Sequence, residues 1–255
     1  MNKTRLAKML SLLIAGTTFS SAQALELEGE LSLGFMNFDI DNPNTVVGQY
    51  SGIHDDERRL LAEFDLSAHS EDNYLFFNGS NLGMDSRQLG VNWGRYGVFG
   101  LSFDHSQVYT FTGVNALTPY DGVGSDLLTL SSGFVKGATP ADMSTLTDDL
   151  KSVDLATERT SNRLAFSLTP SENLRIDLAF FREEREGTQS LGGAIGIPGR
   201  FDNYPAIVLP APVDQVTNNI EAALAYHNAM LQWELNYQWS QFNNRDTALT
   251  WDNPY

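Results

Sequence analysis

Residues 231–240 alternate between large apolar and polar side chains at every position. The odd-numbered residues are leucine, tryptophan or tyrosine, and the even-numbered residues are glutamine, glutamate, asparagine or serine. Successive side chains of a β-strand point to opposite faces, whereas a helix would spread these large residues around its circumference. The segment therefore predicts a β-strand with one apolar and one polar face.

The same alternation recurs in eight other segments, which gives nine predicted antiparallel strands. The other segments are residues 25–35, 60–67, 74–79, 89–94, 99–104, 164–168, 174–180 and 220–226. After residue 24 no apolar run approaches the roughly 20 residues that a membrane-spanning helix needs, and the apolar run 9–16 is also too short. The chain is therefore predicted to be all-β.

The connections between these strands alternate in length. Short connections fall at 70–73, 94–97, 169–173 and 227–230, and the connection 80–86 is intermediate. Long connections fall at 39–57, 105–157 and 187–214. Short periplasmic turns and long extracellular loops are typical of an outer-membrane β-barrel. The alternative, a soluble β-sandwich, has no reason to sort its connections in this way.

The two faces of the predicted strands fit the same architecture. Aromatic residues lie near strand ends on or beside the apolar face, where a barrel meets the lipid headgroups. The predicted interface aromatics are Tyr74, Trp93, Tyr226, Trp233 and Trp239. The opposite face carries small and polar residues, which suits a lumen filled with water or with another protein. The predicted lumen-facing or partner-facing residues are Glu63, Asp65, Asn92, Arg175, Asp177, Glu221, Glu234 and Gln238.

Charge and cysteine content exclude several classes of function. The chain has 16 basic and 32 acidic residues, a formal net charge of −16, so nucleic acid is not an expected partner. It has no cysteine, which excludes disulfides, thiolate zinc sites, iron–sulfur clusters and covalently attached haem. No nucleophile elbow is present, and we expect no enzymatic activity. An outer-membrane lipase or protease is the least favoured class of function.

Metal-binding signals are weak. The four histidines, at positions 54, 69, 105 and 227, show no spacing typical of a metal site. Acidic loop clusters at 55–57, 121–126 and 148–149 are compatible with Ca²⁺, but solvated charge explains them as well.

The amino terminus has the features of a secretory signal. Lys3, Arg5 and Lys8 precede the apolar run 9–16, and residues 22–24 are the small-x-small pattern that signal peptidase cleaves. The alternative is an amphipathic first helix. We therefore predict a signal peptide at 1–24, export to the bacterial outer membrane, and the amino-terminal part of a barrel at 25–255.

The predicted strand number is odd, whereas bacterial single-chain barrels close with an even number of strands. Pro254 lies where a final strand would need a ladder N–H. We therefore expect these nine strands to be part of a larger barrel, of which this chain is a fragment.

Four blocks of residues in the loop regions resemble those of a known family. The first two blocks are 118–130 and 181–193, and the last two are 204–214 and 246–255. Their family-like positions are Thr118, Pro119, Tyr120, Gly122, Gly124, Arg182, Glu183, Glu184, Pro210, Pro212, Asp214, Asp252, Asn253, Pro254 and Tyr255. Together they resemble the MtrB/PioB family of outer-membrane barrels that are associated with decahaem cytochromes, over about residues 60–255.

This resemblance implies an electron conduit. In that family a wide barrel encloses a periplasmic multihaem cytochrome, and an outer-surface multihaem cytochrome often docks on the loops. The barrel binds no haem itself, because the partner carries it, and electrons cross the outer membrane to or from extracellular iron. The alternative for the same polar lumen is a porin-type passive channel, and the residues alone do not distinguish the two.

Overall fold

A computed structural model describes residues 26–38, 52–53, 57–196 and 206–255. The predicted signal peptide and the acidic residues Asp55 and Asp56 lie outside the described residues. Nine strands form one antiparallel sheet in which every strand pairs with its neighbour in the chain, which confirms the predicted strand number and orientation. The edge strands are not paired with each other, so the described residues form an open sheet and not a closed barrel.

The sheet consists of β1 (Glu26–Phe38), β2 (Glu57–His69), β3 (Asn73–Leu82), β4 (Arg87–Arg95), β5 (Phe99–Thr118), β8 (Lys151–Ser171), β9 (Leu174–Ala194), β10 (Ala206–His227) and β11 (Gln232–Asn244). Three short strands, β6 (Tyr120–Asp121), β7 (Leu127–Leu130) and β12 (Thr250–Trp251), form a separate small sheet. A 3-10 turn (Pro140–Asp142) and the one-turn helix α1 (Leu146–Asp149) follow β7. No helix in the described ranges is long and apolar enough to cross a membrane.

The register places the alternating residues on two distinct faces. One row of directly paired side chains crosses all nine strands and is apolar throughout: Leu27, Ala68, Leu75, Trp93, Leu101, Phe166, Leu178, Ala222 and Tyr237. The adjacent row on the same face contains Leu66, Phe77, Val91, Phe103, Leu164, Phe180, Ile220 and Trp239. We call these rows, with the leucine and isoleucine neighbours that flank them, the apolar belt.

The height of the apolar belt fits a membrane. On β9 the belt runs from Leu174 to Phe180, about 20 Å along the strand at 3.3 Å per residue. Outer-membrane barrels present an apolar band about 25 Å tall to lipid. On β5 and β8–β11 the next row on this face is polar, with His105, Asn162, Arg182, Asn218 and Gln241. On β1–β4 the same row contains Leu31, Phe64, Gly79 and Leu89. The belt therefore ends sharply on the side of the long connections only in the part of the sheet formed by β5 and β8–β11.

Four strands are much longer than the sequence predicts. β5, β8, β9 and β10 contain 20, 21, 21 and 22 residues, so nearly half of the predicted loops 105–157 and 187–214 belongs to these strands. The prediction was wrong because it required one apolar face. Beyond the apolar belt the backbone ladders continue, while the side chains on both faces no longer follow the membrane pattern. The final strand β11 likewise continues to Asn244, and part of the predicted loop 243–255 forms β12.

Two prolines lie within β10, at positions where the sequence predicts a loop. In an antiparallel strand, every second residue directs its backbone N–H and carbonyl groups to the same edge. For Asp214 this edge faces β11, because its carbonyl accepts a hydrogen bond from the Arg245 N–H (2.8 Å). Pro210 and Pro212 share the parity of Asp214, so their nitrogens face the same edge beyond the last residue of β11. No ladder bond to β9 is lost, which is why β10 tolerates them.

The short connections lie together at one end of the sheet, as predicted. The Ser70 N–H donates to the Asn73 carbonyl (2.9 Å), and the Asn228 N–H donates to the Leu231 carbonyl (2.8 Å). At the opposite end, 32 residues (119–150) separate β5 from β8. The sorting of short and long connections therefore holds even though the long strands shorten the loops.

Candidate functional site

All eight residues predicted to face a lumen or a partner lie on the polar face of the sheet, opposite the apolar belt. The register gives this parity for Glu63, Asp65, Asn92, Arg175, Asp177, Glu221, Glu234 and Gln238. In one row, Asn92, Ser102, Ala165, Ala179, Glu221 and Gln238 stand side by side across six strands. The sheet therefore brings together residues that are separated by up to about 150 positions in sequence.

Ion pairs balance the charge on the part of this face formed by β8–β10. Arg175 holds Asp177 with its Nε atom 2.8 Å from Oδ2, and Arg163 lies 3.5 Å from Glu221 across the intervening strand β9. These side chains are partly exposed, so each pair contributes little to stability. Because positive and negative side chains are paired, this part of the polar face offers hydrogen-bonding groups without a strongly positive or negative electrostatic potential.

The part formed by β1 and β2 is acidic instead. Glu30 and Asp65 stand directly opposite each other, and Glu63 stands opposite Ser32 one pair further along. Like charges in directly paired positions repel. This side of the polar face therefore favours cations or a basic surface over an acidic one.

A shallow concavity of about 790 Å³ lies on the polar face over β4, β5 and β8–β11. Its floor contains many small residues, including Gly100, Ser102, Ala165, Ala179 and Ala223. A Cβ at Gly100 would lie 2.8 Å from the Tyr74 hydroxyl oxygen and 2.9 Å from Ser167 Oγ. Tyr74 and Ser167 therefore already fill the space over Gly100. The short side chains of Ala165, Ala179 and Ala223 let another molecule approach the backbone of the sheet closely.

The predicted aromatic girdle needs one correction. Tyr74 pairs with Gly94, so it lies on the polar face, where its ring covers the space left by Gly94 and Gly100. Trp239 pairs with Ile220 on the apolar face, in the last row of the apolar belt, and its role at an interface stays a prediction. A period-two pattern determines which residues of a strand share a face, but an aromatic residue at the end of a strand can lie on either face of the sheet.

The other three aromatics lie on the apolar face beside the short turns. Trp93 contacts Phe99 edge-on with ring centroids 5.2 Å apart, and Tyr226 stacks on Trp233 at 6.0 Å. Amphipathic rings at this height suit the boundary between lipid tails and headgroups. Their role at an interface stays a prediction.

At the other end of the sheet, residues from all four family-like blocks meet in one packed unit. Tyr120, Leu128 and Leu209 are 1%, 0% and 0% exposed and form its core. The partly buried residues packed around them are Val123, Leu130, Ile207, Leu249 and Trp251. We call these eight residues, together with Asp252, the mouth cluster. Gly193 belongs to the same place, because a Cβ there would lie 3.5 Å from the Trp251 ring.

Asp252 ties the mouth cluster together through three groups. Its N–H donates to the Leu128 carbonyl (3.0 Å), and its Oδ2 accepts from the Leu130 N–H (2.9 Å). Its carbonyl accepts from the Tyr120 hydroxyl (2.8 Å), a bond between residues 132 positions apart. These bonds satisfy polar groups that the apolar core would otherwise leave without partners.

Most other family-like positions support the same region. Asn253 Nδ2 donates to the Gly196 carbonyl (2.9 Å), and the Pro254 carbonyl accepts from the Gly137 N–H (3.3 Å). Gly122 and Gly124 have φ of +83° and +88°, which glycine adopts without strain, in the turn that joins β6 to β7. Further positions flank this region: Thr118, Pro119, Pro210, Pro212 and Tyr255.

The charged family-like positions lie just beyond the apolar belt. Arg182 and Glu184 share the parity of the belt residues and form an ion pair, whereas Glu183 faces the other side and accepts from Ser161 Oγ (3.2 Å). Asp214 accepts from Arg245 Nη1 (3.0 Å). Arg245 also lies 3.6 Å from Glu184, so it links the end of β11 to its neighbour β10 and, beyond that strand, to β9.

Sequence reasoning missed the apolar inner residues of β10. Leu209, Ala211 and Val213 have the parity of the polar face, yet they are 0%, 5% and 4% exposed. The signal is present in the sequence as an apolar alternation over 207–213 that is out of phase with the alternation over 220–226. A change of phase along one strand predicts that a different element covers the new apolar face.

Within the described ranges, no group of three or more histidine, aspartate or glutamate residues could hold a metal ion. His105 Nδ1 lies 2.9 Å from Asn162 Oδ1, and His69 Nε2 lies 2.9 Å from Glu26 Oε2. Ca²⁺ in the acidic loops therefore gains no support from these residues.

We expect the mouth cluster to loosen at alkaline pH. Burial raises the pKa of Tyr120 above its usual value near 10, and the Asp252 carboxylate adds to the shift. An unfolded tyrosine ionises above about pH 10 while buried Tyr120 stays neutral, so the cluster loses stability as pH rises. Protease resistance of residues 119–130 should fall between about pH 10 and pH 12. In Tyr120→Phe the fall should be smaller, and an equal fall in both proteins would contradict the assignment.

Two comparisons with known proteins complete this picture. The sequence model of the outer-membrane β-barrel porin family MtrB/PioB matches residues 38–255. The outer membrane protein MtrB of Shewanella baltica (strain OS185) is 33% identical over 174 residues, which are 68% of this chain and 24% of that protein. The chain thus spans about a quarter of the length of this relative. The family match includes the mouth cluster and the polar face of every strand of the large sheet except β1.

Proposed function

The chain belongs to the MtrB/PioB family of outer-membrane β-barrel proteins, and from this premise we propose that its sheet forms part of a sheath around a multihaem c-type cytochrome. The family is one of membrane barrels and not of enzymes. In this proposal the apolar belt meets lipid and the polar face lines the lumen. The sheath supports electron transfer across the outer membrane, and the haem belongs entirely to the partner.

The observation that carries the proposal is the composition of the polar face over β4, β5 and β8–β11. A water-filled lumen has no need for small residues, whereas a wall packed against another protein does. Ala165, Ala179 and Ala223 leave the backbone accessible, and the ion pairs Arg163–Glu221 and Arg175–Asp177 lie between them. Such a surface offers van der Waals contact and hydrogen bonds without a strong net field.

The physical need for a sheath follows from the cost of burying polar groups in hydrocarbon. Each unpaired polar group costs several kcal/mol in the hydrocarbon core of a bilayer. A haem protein with charged propionates therefore cannot span the bilayer in direct contact with lipid. A closed β-sheet with an apolar exterior and a polar interior removes this cost. The acidic side of the polar face, at β1 and β2, favours a basic patch on the enclosed partner.

An outer-surface multihaem cytochrome is the second partner in this proposal. It would dock on the long connections, because they end at the rim opposite the short turns. Export to the outer membrane by the signal peptide at 1–24 is part of the same proposal.

Co-purification tests the proposed function. The full chain is expressed with an affinity tag in a host that matures c-type cytochromes, extracted in mild detergent, and resolved on a gel stained for haem peroxidase activity. A haem-bearing protein should elute in stoichiometric amount. If the purified barrel carries no haem protein and instead conducts ions freely in a lipid bilayer, the porin-type passive channel replaces the sheath.

A further inference from the structure

The polar face changes character along β10. Within the membrane zone it carries Asn219 and Glu221, whereas beyond the apolar belt it carries Leu209, Ala211 and Val213. The ladder between β9 and β10 is continuous from Ala206 to Tyr226, so this change is one of sequence and not of register. An apolar strip on the inward side of a barrel rim is stable only when something covers it.

The mouth cluster covers the Leu209 end of this strip. Leu209 packs directly against Tyr120 and Leu128, and the Trp251 ring lies over Gly193 on the neighbouring strand. Leu209 is eleven residues beyond Ile220 on β10, about 35 Å along the strand from the last row of the apolar belt. The cluster therefore lies outside the membrane zone and on the inward side of the wall.

The mouth cluster is a fixed structure. Its core side chains are as buried as those of a soluble domain, and Asp252 joins residues from two distant parts of the chain. The Thr250 N–H also donates to the Asp126 carbonyl (2.8 Å), which anchors β12 beside β7. A packed unit with satisfied polar groups keeps one position, unlike a loop that samples many.

We propose that the mouth cluster is a permanent constriction of the outer opening, which blocks the passage of small solutes around the enclosed partner. The inward position of the cluster rests on the lumen assignment made in the proposed function. A sheath that fits a rod-like partner imperfectly would leak ions and nutrients along the gap. A rigid unit projecting from the rim over the lumen closes part of that gap without touching the lipid-facing wall.

Single-channel conductance of the protein assembled into a closed barrel in planar lipid bilayers, with no cytochrome present, tests this proposal. The double variant Tyr120→Ala/Leu128→Ala removes the core of the cluster. Its conductance should rise about twofold or more, because flow through a pore depends on its narrowest part. The matched control is Val208→Ala, since Val208 is 69% exposed on the other face of β10. This control should conduct like the unmodified protein.

A second measurement keeps the test valid if the double variant does not fold. The chain has no cysteine, so Leu127→Cys introduces a single thiol at an exposed position on β7, directly beside Leu128 of the cluster. Attachment of a bulky thiol reagent should lower the conductance stepwise. A rise in the first experiment or a block in the second supports the constriction, and unchanged conductance in both overturns it.

The two proposals fail separately. Conductance is measured without any haem protein, so a missing cytochrome in co-purification leaves the constriction intact. If a cytochrome co-purifies normally while neither conductance experiment shows an effect, the sheath stands and the constriction falls.

Discussion

Leu178→Arg should prevent stable insertion of the protein into the outer membrane. Leu178 lies in the apolar row that crosses all nine strands, and its side chain is 48% exposed because no protein element covers it. An arginine facing lipid near the bilayer midplane costs about 2–4 kcal/mol in an outer-membrane barrel. Folding into liposomes, followed by the heat-dependent shift in gel mobility and by guanidinium titration, measures the loss.

The matched control places the same arginine one residue further along the strand. Ala179 has the opposite parity and faces the polar side. Ala179→Arg should insert nearly as well as the unmodified protein, because the guanidinium group remains in water. If both variants lost the same stability, the assignment of the apolar belt to lipid would be wrong.

Ala223→Trp should expel the cytochrome partner while leaving the barrel folded. Ala223 lies on the polar face in the same row as Gly100, Ser167 and Asp177, where small side chains allow close approach. A large side chain forced into a packed interface costs about 1–3 kcal/mol, which lowers affinity about 5- to 150-fold. The ratio of haem stain to barrel protein after affinity purification measures the effect.

Ala222→Trp is the control for this second variant. Ala222 is the neighbouring residue in the apolar row, and a tryptophan there adds apolar surface on the lipid side. It should retain the partner at the level of the unmodified protein. Equal haem ratios in all three proteins would show that this part of the wall does not contact the partner, and the sheath proposal would lose its main support.

Residues 231–240 illustrate what a sequence pattern can determine. Five apolar and five polar residues in strict alternation specify a strand with two unlike faces, and the structure places them in β11. The same rule, applied to eight other segments, gave the correct strand number and the correct parity of all eight polar-face residues. Period-two alternation succeeds here because lipid on one side and a polar environment on the other impose opposite requirements on neighbouring residues.

The length of the strands required the three-dimensional structure. Beyond Phe103 and Phe180 no lipid faces the sheet, so the side chains lose the strong alternation while the backbone ladders continue. Pro210 and Pro212 are compatible with β10 only because β11 ends before it reaches them. That fact concerns a neighbouring strand, and no local property of residues 206–214 contains it.

The mouth cluster shows most clearly which features local sequence patterns determine and which features depend on the tertiary structure. The sequence alone marks Tyr120, Asp252 and the two prolines of β10 as family-like positions in separate blocks, and it fixes the lipid-facing and polar faces of each strand through local periodicity. Only the tertiary structure shows that these blocks pack on one another and on the side of β10 that has the parity of the polar face. Contacts between residues more than 120 positions apart depend on strand order and register, which emerge when the whole sheet forms.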